Sequence, residues 1–457
     1  MTPAGPAAAT RYAAAVGALQ ERGRFGIRLG LARTRALLAA SGHPERTVRG
    51  ALIGGTNGKG SVVALTGAAL RAAGYTTGEM PKPHLVTYRE RLRIDGRPID
   101  AATFAGLVEE ALPAADRVAR RHGAPTEFEL LTALAFRWFA ARGVELAIVE
   151  VGLGGRLDAT HAWDGGVAAI TNVDLDHTEW LGPTVEAIAH EKAAIILRGD
   201  LAVTGASGPA LAIIRRRARR VGVTLVEAPL VPVLAMDRDG IVVDLPGLPA
   251  TRIGLLGRHQ AGNAAVANAV LDALDAAGIA SVDAASRRRG FGAARWPGRL
   301  ELITARGPGG RPVEVLLDGA HNPAGAAALA AALDELRPAL AGWGRPPAPL
   351  TLVLATMGDK DVTGILAPLA ATAALAGARM IATQVAGARA LPAVHLAASW
   401  HAAAPGGPQP IAEPEPGAAL ERALAFAEGP VVVAGSLYLV GEVRARLVDD
   451  PDLRDPS

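Results

Sequence analysis

Ala51-Leu52-Ile53-Gly54-Gly55-Thr56-Asn57-Gly58-Lys59-Gly60-Ser61 decides how the rest of the chain is read. Three apolar residues run into a glycine-rich turn, and Val62-Val63-Ala64-Leu65 then opens a helical pattern. A strand, a glycine turn and a helix together aim backbone N–H groups at one point, where a phosphate is held. Glycine lets the backbone come close and take positive φ. A lysine adds a point charge for outer phosphates, and a hydroxyl can bind magnesium. The general pattern has glycine where Ile53 stands and places the hydroxyl directly after the lysine, whereas here Gly60 intervenes before Ser61. An ordinary glycine-rich strand-to-helix turn is the competing reading.

Working outward, residues 11–22 and 31–40 predict helices before the turn, joined by a loop from Gly23 to Gly30. After it come the extended loop Pro81-Lys82-Pro83-His84-Leu85, a short strand in 91–96 and helices over 101–121 and 127–142. Glu145–Val151 reads as a buried strand running into Gly152–Asp158, and Val167–Asn172 as a second running into Val173–Thr178. A helix over 184–197 carries Glu191-Lys192. This alternation predicts an α/β fold whose mostly parallel sheet is covered on both faces. Ligands collect at the carboxyl ends of such strands, where the turn, Glu150 and His177 all fall. Residues 230–256 read as short strands, and a helix over 259–277 carries Asn263. Arg295-Trp296-Pro297-Gly298-Arg299 reads as a linker. A second α/β unit follows, with strands at 299–304, 313–318, 350–355, 379–383 and 430–434 and no phosphate turn of its own. Loops rich in Pro and Gly separate its elements at 342–349 and 404–417.

The 457 residues allow two or three domains, and 50% hydrophobic content excludes a disordered chain. A net charge of +3 is too even to indicate nucleic acid, and Arg215-Arg216-Arg217 reads as a solvated helix face. The absence of cysteine excludes disulfides and thiolate chemistry and fits a cytoplasmic protein. Residues 1–6 show no signal-peptide pattern. The uncharged stretch Val362–Ala378 is broken by Gly364 and Pro368 and reads as a buried helix with its flanks, so no membrane is expected.

Four features outside the turn carry chemistry. Glu150 ends an apolar strand, where a carboxylate either binds a metal or faces solvent. His177 follows Asp174-Leu175-Asp176, either as a magnesium or substrate contact or beside a helix-capping acid. Lys192 by itself reads as a surface lysine. Asp318-Gly319-Ala320-His321-Asn322-Pro323 closes a strand as a ligand site or as plain turn chemistry.

With these residues assembled, nearly the whole chain resembles folylpolyglutamate synthase and the bifunctional dihydrofolate synthase of the Mur ligase superfamily. The ordered blocks are Gly55–Ser61, Pro83-His84-Leu85 with Glu90-Arg91, Thr126–Glu129, Glu150–Thr160, Leu175–Thr178, Glu191–Ala193, His259-Gln260 with Asn263, Trp296–Glu301, Asp318–Pro323 and Gly435–Leu439. The late hydroxyl after Gly-Lys-Gly belongs to the family as well. The resemblance implies an ATP-binding phosphate-loop domain over 1–297 and a smaller Rossmann-like domain over 298–457, with catalysis between them. It implies a ligase that uses ATP and magnesium, in one or two ions, to join L-glutamate to a reduced folate and to dihydropteroate through an acyl phosphate. A related Mur-type ligase acting on another pterin-like or aromatic acid is the alternative. Carried over by position, Thr56, Asn57, Gly58, Lys59, Gly60, Ser61, Asn263, Arg299 and Asp318 contact ATP. Ser61, Glu150, His177 and Lys192 serve the metal sites, with Lys192 carbamylated. Lys59, His177, Lys192 and His321 are the catalytic set. Thr126, Glu127, Phe128, Glu129, Leu157, Asp158, Ala159 and Ser436 bind substrate. A monomer with small-molecule partners is implied.

Two positions depart from the family pattern. Lys82 stands where a serine metal ligand is usual, and an ammonium cannot ligate. A metal site is altered, or the lysine charge partly replaces a cation, or the loop is re-registered so that Thr76 or Thr77 serves. His161 stands where asparagine is common.

Overall fold

The computed structural model describes residues 6–23, 26, 28–340 and 348–456. Residues 1–5 and most of the 342–349 loop lie outside the described residues, as do three residues of the 23–30 loop. Among the described residues the strands form three sheets. The first contains β1 (Arg49–Gly54), β2 (Thr77–Met80), β3 (Arg93–Ile94), β4 (Arg97–Pro98), β5 (Leu146–Glu150), β6 (Gly166–Ile170), β7 (Leu201–Thr204) and β8 (Leu225–Glu227), in the order β4-β3-β2-β5-β1-β6-β7-β8. From β2 to β8 the pairing is parallel; β3 alone runs against the other strands and so pairs antiparallel with both β2 and β4. The sheet is therefore mostly parallel, and its central strands are apolar along their length because both faces are covered.

Register positions the site. Ile53 pairs with Glu150, Gly54 with Ile170, and Met80 with Val149. The carboxyl ends of β2, β5, β1 and β6 thus lie side by side, and the loops that leave them open on one edge. The helix Lys59–Ala72 leaves the phosphate turn and is buried at every residue from Ser61 to Leu70. Its Val, Ala and Leu side chains are apolar all round, the composition of a helix enclosed by other elements. The helices His259–Ala276 and Ala284–Ala293 pack against it, the first of them also lying on β6 and β7.

A three-stranded antiparallel sheet follows, built of β9 (Val233–Asp237), β10 (Gly240–Leu245) and β11 (Leu248–Ile253). The second α/β domain holds β12 (Glu301–Arg306), β13 (Pro312–Leu317), β14 (Thr351–Leu354), β15 (Arg379–Ala382), β16 (Ile411–Ala412) and β17 (Val431–Ala434), in the order β12-β13-β17-β14-β15-β16. Leu317 pairs with Val433 and Leu354 with Ala434, so the loops after β13, β14 and β17 again share an edge. Apolar clusters cover both faces of this sheet too. The chain then returns to the first domain: Asp455 accepts from Thr87 Oγ1 at 2.5 Å and pairs with Arg89.

Several expectations are refined. The proposed helix in Val362–Ala378 is Val362–Ala371 and contains Pro368. The loop read over 404–417 contains β16 and the start of the helix Pro416–Phe426. Strands β2, β7 and β8 were not expected, because each is short and follows a helix without a long apolar run. Arg217 is not part of a solvated face: its guanidinium donates to the carbonyls of Ala194 and Ile196 and closes the end of the preceding segment. Among the described residues no helix is long and apolar enough to cross a membrane.

Candidate active site

The two carboxyl edges face each other across a cavity of about 1120 Å³. One wall carries Gly55–Ser61, Lys82, Glu150, Asp176, His177 and Lys192; the other carries Arg299, Asp318, His321, Asn322, Lys360 and Ser436, with Asn263 at the boundary.

The phosphate turn is held from behind. Asn57 N–H donates to Asn172 Oδ1 at 2.8 Å, and Thr171 Oγ1 donates to the Asn57 carbonyl at 2.6 Å. Thr56 Oγ1 donates to the Asp174 carbonyl and accepts from Asp174 N–H. The loops after β1 and β6 are therefore one braced unit. Gly58 has φ +80°, and a Cβ there would sit 2.1 Å from Asn263 Oδ1. Glycine is required both for the backbone angle and for this contact. Lys59 Nζ donates to the carbonyls of Gly55 (3.0 Å) and Thr56 (2.9 Å), which folds the ammonium back over the turn. Burial pushes its pKa down, while Glu150 and Asp176 oppose the shift.

Glu150 is buried, at 4% exposure. Its Oε2 accepts from Lys82 N–H at 3.0 Å, and burial pushes the carboxyl up against the pull of Lys59. A buried carboxylate that lines the same cavity as Ser61 and the phosphate turn is an oxygen donor set that suits magnesium completed by phosphate oxygens and water. Among the described residues no three acidic or histidine side chains converge into a protein-only cage. His177 takes φ +51° and lies about 3.9 Å from both Asp176 and Glu179.

Lys192 departs from the surface reading: it is 5% exposed, and Nζ donates to the Gly55 carbonyl at 2.8 Å. Burial, with Lys59 adding to it, pushes its pKa down to about 7. The neutral amine is thereby well populated near neutrality.

The other wall is made of turns. Asp318 Oδ2 accepts from Leu300 N–H at 2.9 Å and Oδ1 from Ala320 N–H at 2.8 Å. Both oxygens therefore tie the linker to the turn after β13. Burial pushes this carboxyl up, against Arg299. His321 Nδ1 lies 2.7 Å from the Gly319 carbonyl, which can only accept, so Nδ1 carries the proton and Nε2 is left as an acceptor. Burial pushes its pKa down to about 4. Ser436 caps the helix Leu437–Leu447 by accepting from Tyr438 N–H.

Some expected residues stand behind the wall. Thr126 and Glu129 form a capping box at the start of the helix Glu127–Ala141, and Glu129 also receives Arg33. Glu127 pairs with Arg91. Asp158 caps Ala159–Ala162 and receives Leu153 N–H. None of these lines the cavity, nor do Leu157 and Ala159. Phe128 reaches it indirectly, packed against Gly152 and beneath Lys82. Thr76 and Thr77 lie at the amino end of β2, the edge opposite the cleft, so a re-registered loop does not bring either of them to the metal. His161 Nδ1 faces the Arg156 carbonyl, away from the cavity. Sequence reasoning passed over Asn172, Lys360 and Trp180 as site residues, all of which line the cleft. Asn172 gave the one advance signal, a position just after a strand.

Known proteins are similar to this chain in sequence and fold. The Mur ligase middle domain family matches residues 53–271, and the family described as the dihydrofolate synthetase C-terminal domain matches 303–447. The dihydrofolate synthase/folylpolyglutamate synthase of Bacillus subtilis is 36% identical over 344 residues, covering 71% of this chain and 77% of that protein. The folylpolyglutamate synthase of Lacticaseibacillus casei is 31% identical over 439 residues, covering 91% and 94%. The solved Mycobacterium tuberculosis folylpolyglutamate synthase, complexed with ADP and AMPPCP, superposes with a TM-score of 0.84 at 31% identity and covers 97% of this chain and 100% of its own.

Proposed function

Because this chain belongs to the folylpolyglutamate synthase/dihydrofolate synthase family of Mur-type ATP-dependent ligases, we propose that it joins L-glutamate to reduced folates and to dihydropteroate. The observation that carries this reading is the single cleft in which the phosphate turn, buried Glu150 and the His321 turn face one another. A carboxylate is a poor electrophile at neutral pH. In the proposed reaction its oxygen attacks the terminal phosphorus of ATP and ADP leaves. The glutamate amine then attacks the acyl carbon, phosphate leaves, and the nitrogen gives up a proton as the amide forms.

The N–H groups of the turn hold the phosphates, and Lys59 neutralises charge that builds between nucleotide and carboxylate. Glu150 and Ser61 would hold magnesium, with His177 close by, and that ion would supply further charge neutralisation to the bound phosphates. Lys192 would carry a carbamate. Its lowered pKa supports this, because only the neutral amine takes up carbon dioxide. His321 Nε2 would accept a hydrogen bond from the incoming amine, a role its free acceptor supports. Asn263, Arg299 and Asp318 would grip the nucleotide across the cleft, Asp318 by fixing the linker. Ser436, on the second wall, would meet glutamate. Thr126–Glu129 and Leu157–Ala159 would shape the pterin pocket from behind.

The division at 297/298 is the boundary we assign, in the linker that Asp318 ties down. One chain supplies both walls, which supports a monomer, and the substrates are those of the cytoplasm. The test is phosphate release from ATP and magnesium with L-glutamate and either tetrahydrofolate or dihydropteroate. Release that needs both acid and amine is expected; release needing neither sinks the reading. Lys82 favours a second reading, a Mur-type ligase for another aromatic acid, which a better acid than any folate in the same assay would establish.

A further inference from the structure

Lys82 leaves the carboxyl end of β2, two strands from the phosphate turn in the edge order β2-β5-β1, with Glu150 between them. Neighbouring strands lie about 4.8 Å apart, which puts Lys82 roughly 10 Å along the edge from the turn. Its Nζ stands 4.8 Å from the centroid of the Phe128 ring, and its side chain lines the cavity. Among the described residues Nζ has no hydrogen-bond acceptor and no carboxylate within ion-pair distance.

The charged groups around it are Asp158, Arg91, Lys59 and Glu150. Each is otherwise engaged. Asp158 receives Leu153 N–H on one oxygen and Thr160 N–H and Oγ1 on the other. Arg91 donates to His84 and pairs with Glu127. Lys59 is folded onto the turn, and Glu150 receives the backbone N–H of Lys82 itself. Burial pushes the Lys82 pKa down, and the result is a lysine head group on an aromatic face, on a side chain that lines the cavity and without a protein acceptor among the described residues. That is a site for an anion with an apolar or aromatic body.

We propose that Lys82 is a specificity-determining residue that holds the reacting carboxylate of the acyl substrate in line with the end of the nucleotide. This rests on the ligase reading above. Its place on the edge favours the acid over ATP: the phosphates start at β1, and Lys82 lies past Glu150 on the far side.

The experiment measures equilibrium binding of pteroate and of its neutral methyl ester, each with ADP present, together with binding of ADP and AMPPCP alone. Wild-type protein is expected to prefer the acid by about 10- to 100-fold, the range of one charge-assisted hydrogen bond. Lys82→Met should bring the ratio near one and leave nucleotide affinity within about twofold, and Lys82→Arg should keep most of the preference. An unchanged acid-to-ester ratio in Lys82→Met overturns the proposal. So does a loss of AMPPCP affinity with the ratio intact, which assigns Lys82 to the phosphate. Should the methionine variant not fold, Lys82→Gln is held to the same expectation. If wild-type protein binds neither form, the acyl-substrate reading fails and this inference falls with it; binding with an unaltered ratio refutes Lys82 alone.

Discussion

The two walls of the cleft are built differently. The first is electrostatic: Lys59 opens a helix, Lys82 stands on the loop after β2 and Lys192 sits in the helix Val185–Ala193, and Lys59 and Lys192 both donate to the Gly55 carbonyl. The second is conformational: Asp318 spends both oxygens on backbone N–H groups, and Ser436 and Asn322 brace the helices that follow them. Between the walls the direct contacts are long. Asn322 Nδ2 reaches Asn57 Oδ1 and Asp176 Oδ2 at 3.4 Å, and Lys360 Nζ reaches Asp176 Oδ1 at 3.5 Å. One side thus gathers charge for a nucleotide, and the other fixes geometry.

The contrast can be broken from the first wall most severely. Lys59→Ala should lower kcat/KM by about 10³-fold, the scale for losing one charge aimed at a transition state. Its melting temperature should stay close to wild type, because the lysine bonds only to carbonyls that line the cleft. Activity within about tenfold of wild type would remove Lys59 from catalysis.

Asp318→Ala should act on stability instead. It orphans Leu300 N–H and Ala320 N–H together, at a cost of about 2–4 kcal/mol in denaturant unfolding. A loss below about 0.5 kcal/mol would show that the turn stands without its carboxylate.

Each wall also holds a neutral imidazole, which sharpens the comparison through pH. Burial pushes His84 down to about 3 and His321 to about 4. His84 accepts from Arg91 Nε at 2.8 Å, and protonation would abolish that acceptor. The unfolded chain takes up these protons near pH 6.5 and the folded chain only well below it. Stability therefore falls as pH drops from about 6.5, and the loss is complete only below the folded values. His84 should contribute roughly 2 kcal/mol of loss between pH 6.5 and pH 5. His84→Gln, which can still accept from Arg91, should flatten that part of the curve. An equal slope in both proteins would refute the assignment.

The smallest effect is expected at the junction. Lys360→Met should change apo stability by no more than about 0.5 kcal/mol, as a long, partly exposed ion pair contributes little. A larger loss would mean that the walls are locked together before ligand arrives.

Much of this architecture was legible in advance. Short apolar runs ending in Gly, Glu or Asp marked β1, β5 and β13, and the parallel sheet followed from their alternation with helices. The phosphate turn was visible because its glycines have a backbone reason to be there. Phe128, Lys192 and Asp318 were found by position in the family pattern, yet their surroundings were not. A lysine after a glutamate on a helix looks solvated until the helix packs against the turn. A carboxylate in a ligand turn looks free until both oxygens are seen to accept from N–H groups. Thr126 and Glu129 read as substrate residues, and only packing shows that they also form a helix cap.

What the sequence alone determined is the order of elements and the chemistry at each strand end, since period, glycine spacing and residue type are local properties. It also established the unusual lysine at position 82. The tertiary structure decided which strand ends share an edge and how far apart they stand. It also decided which charges lack a partner. Those depend on register between strands distant in sequence and on desolvation, which no single segment carries.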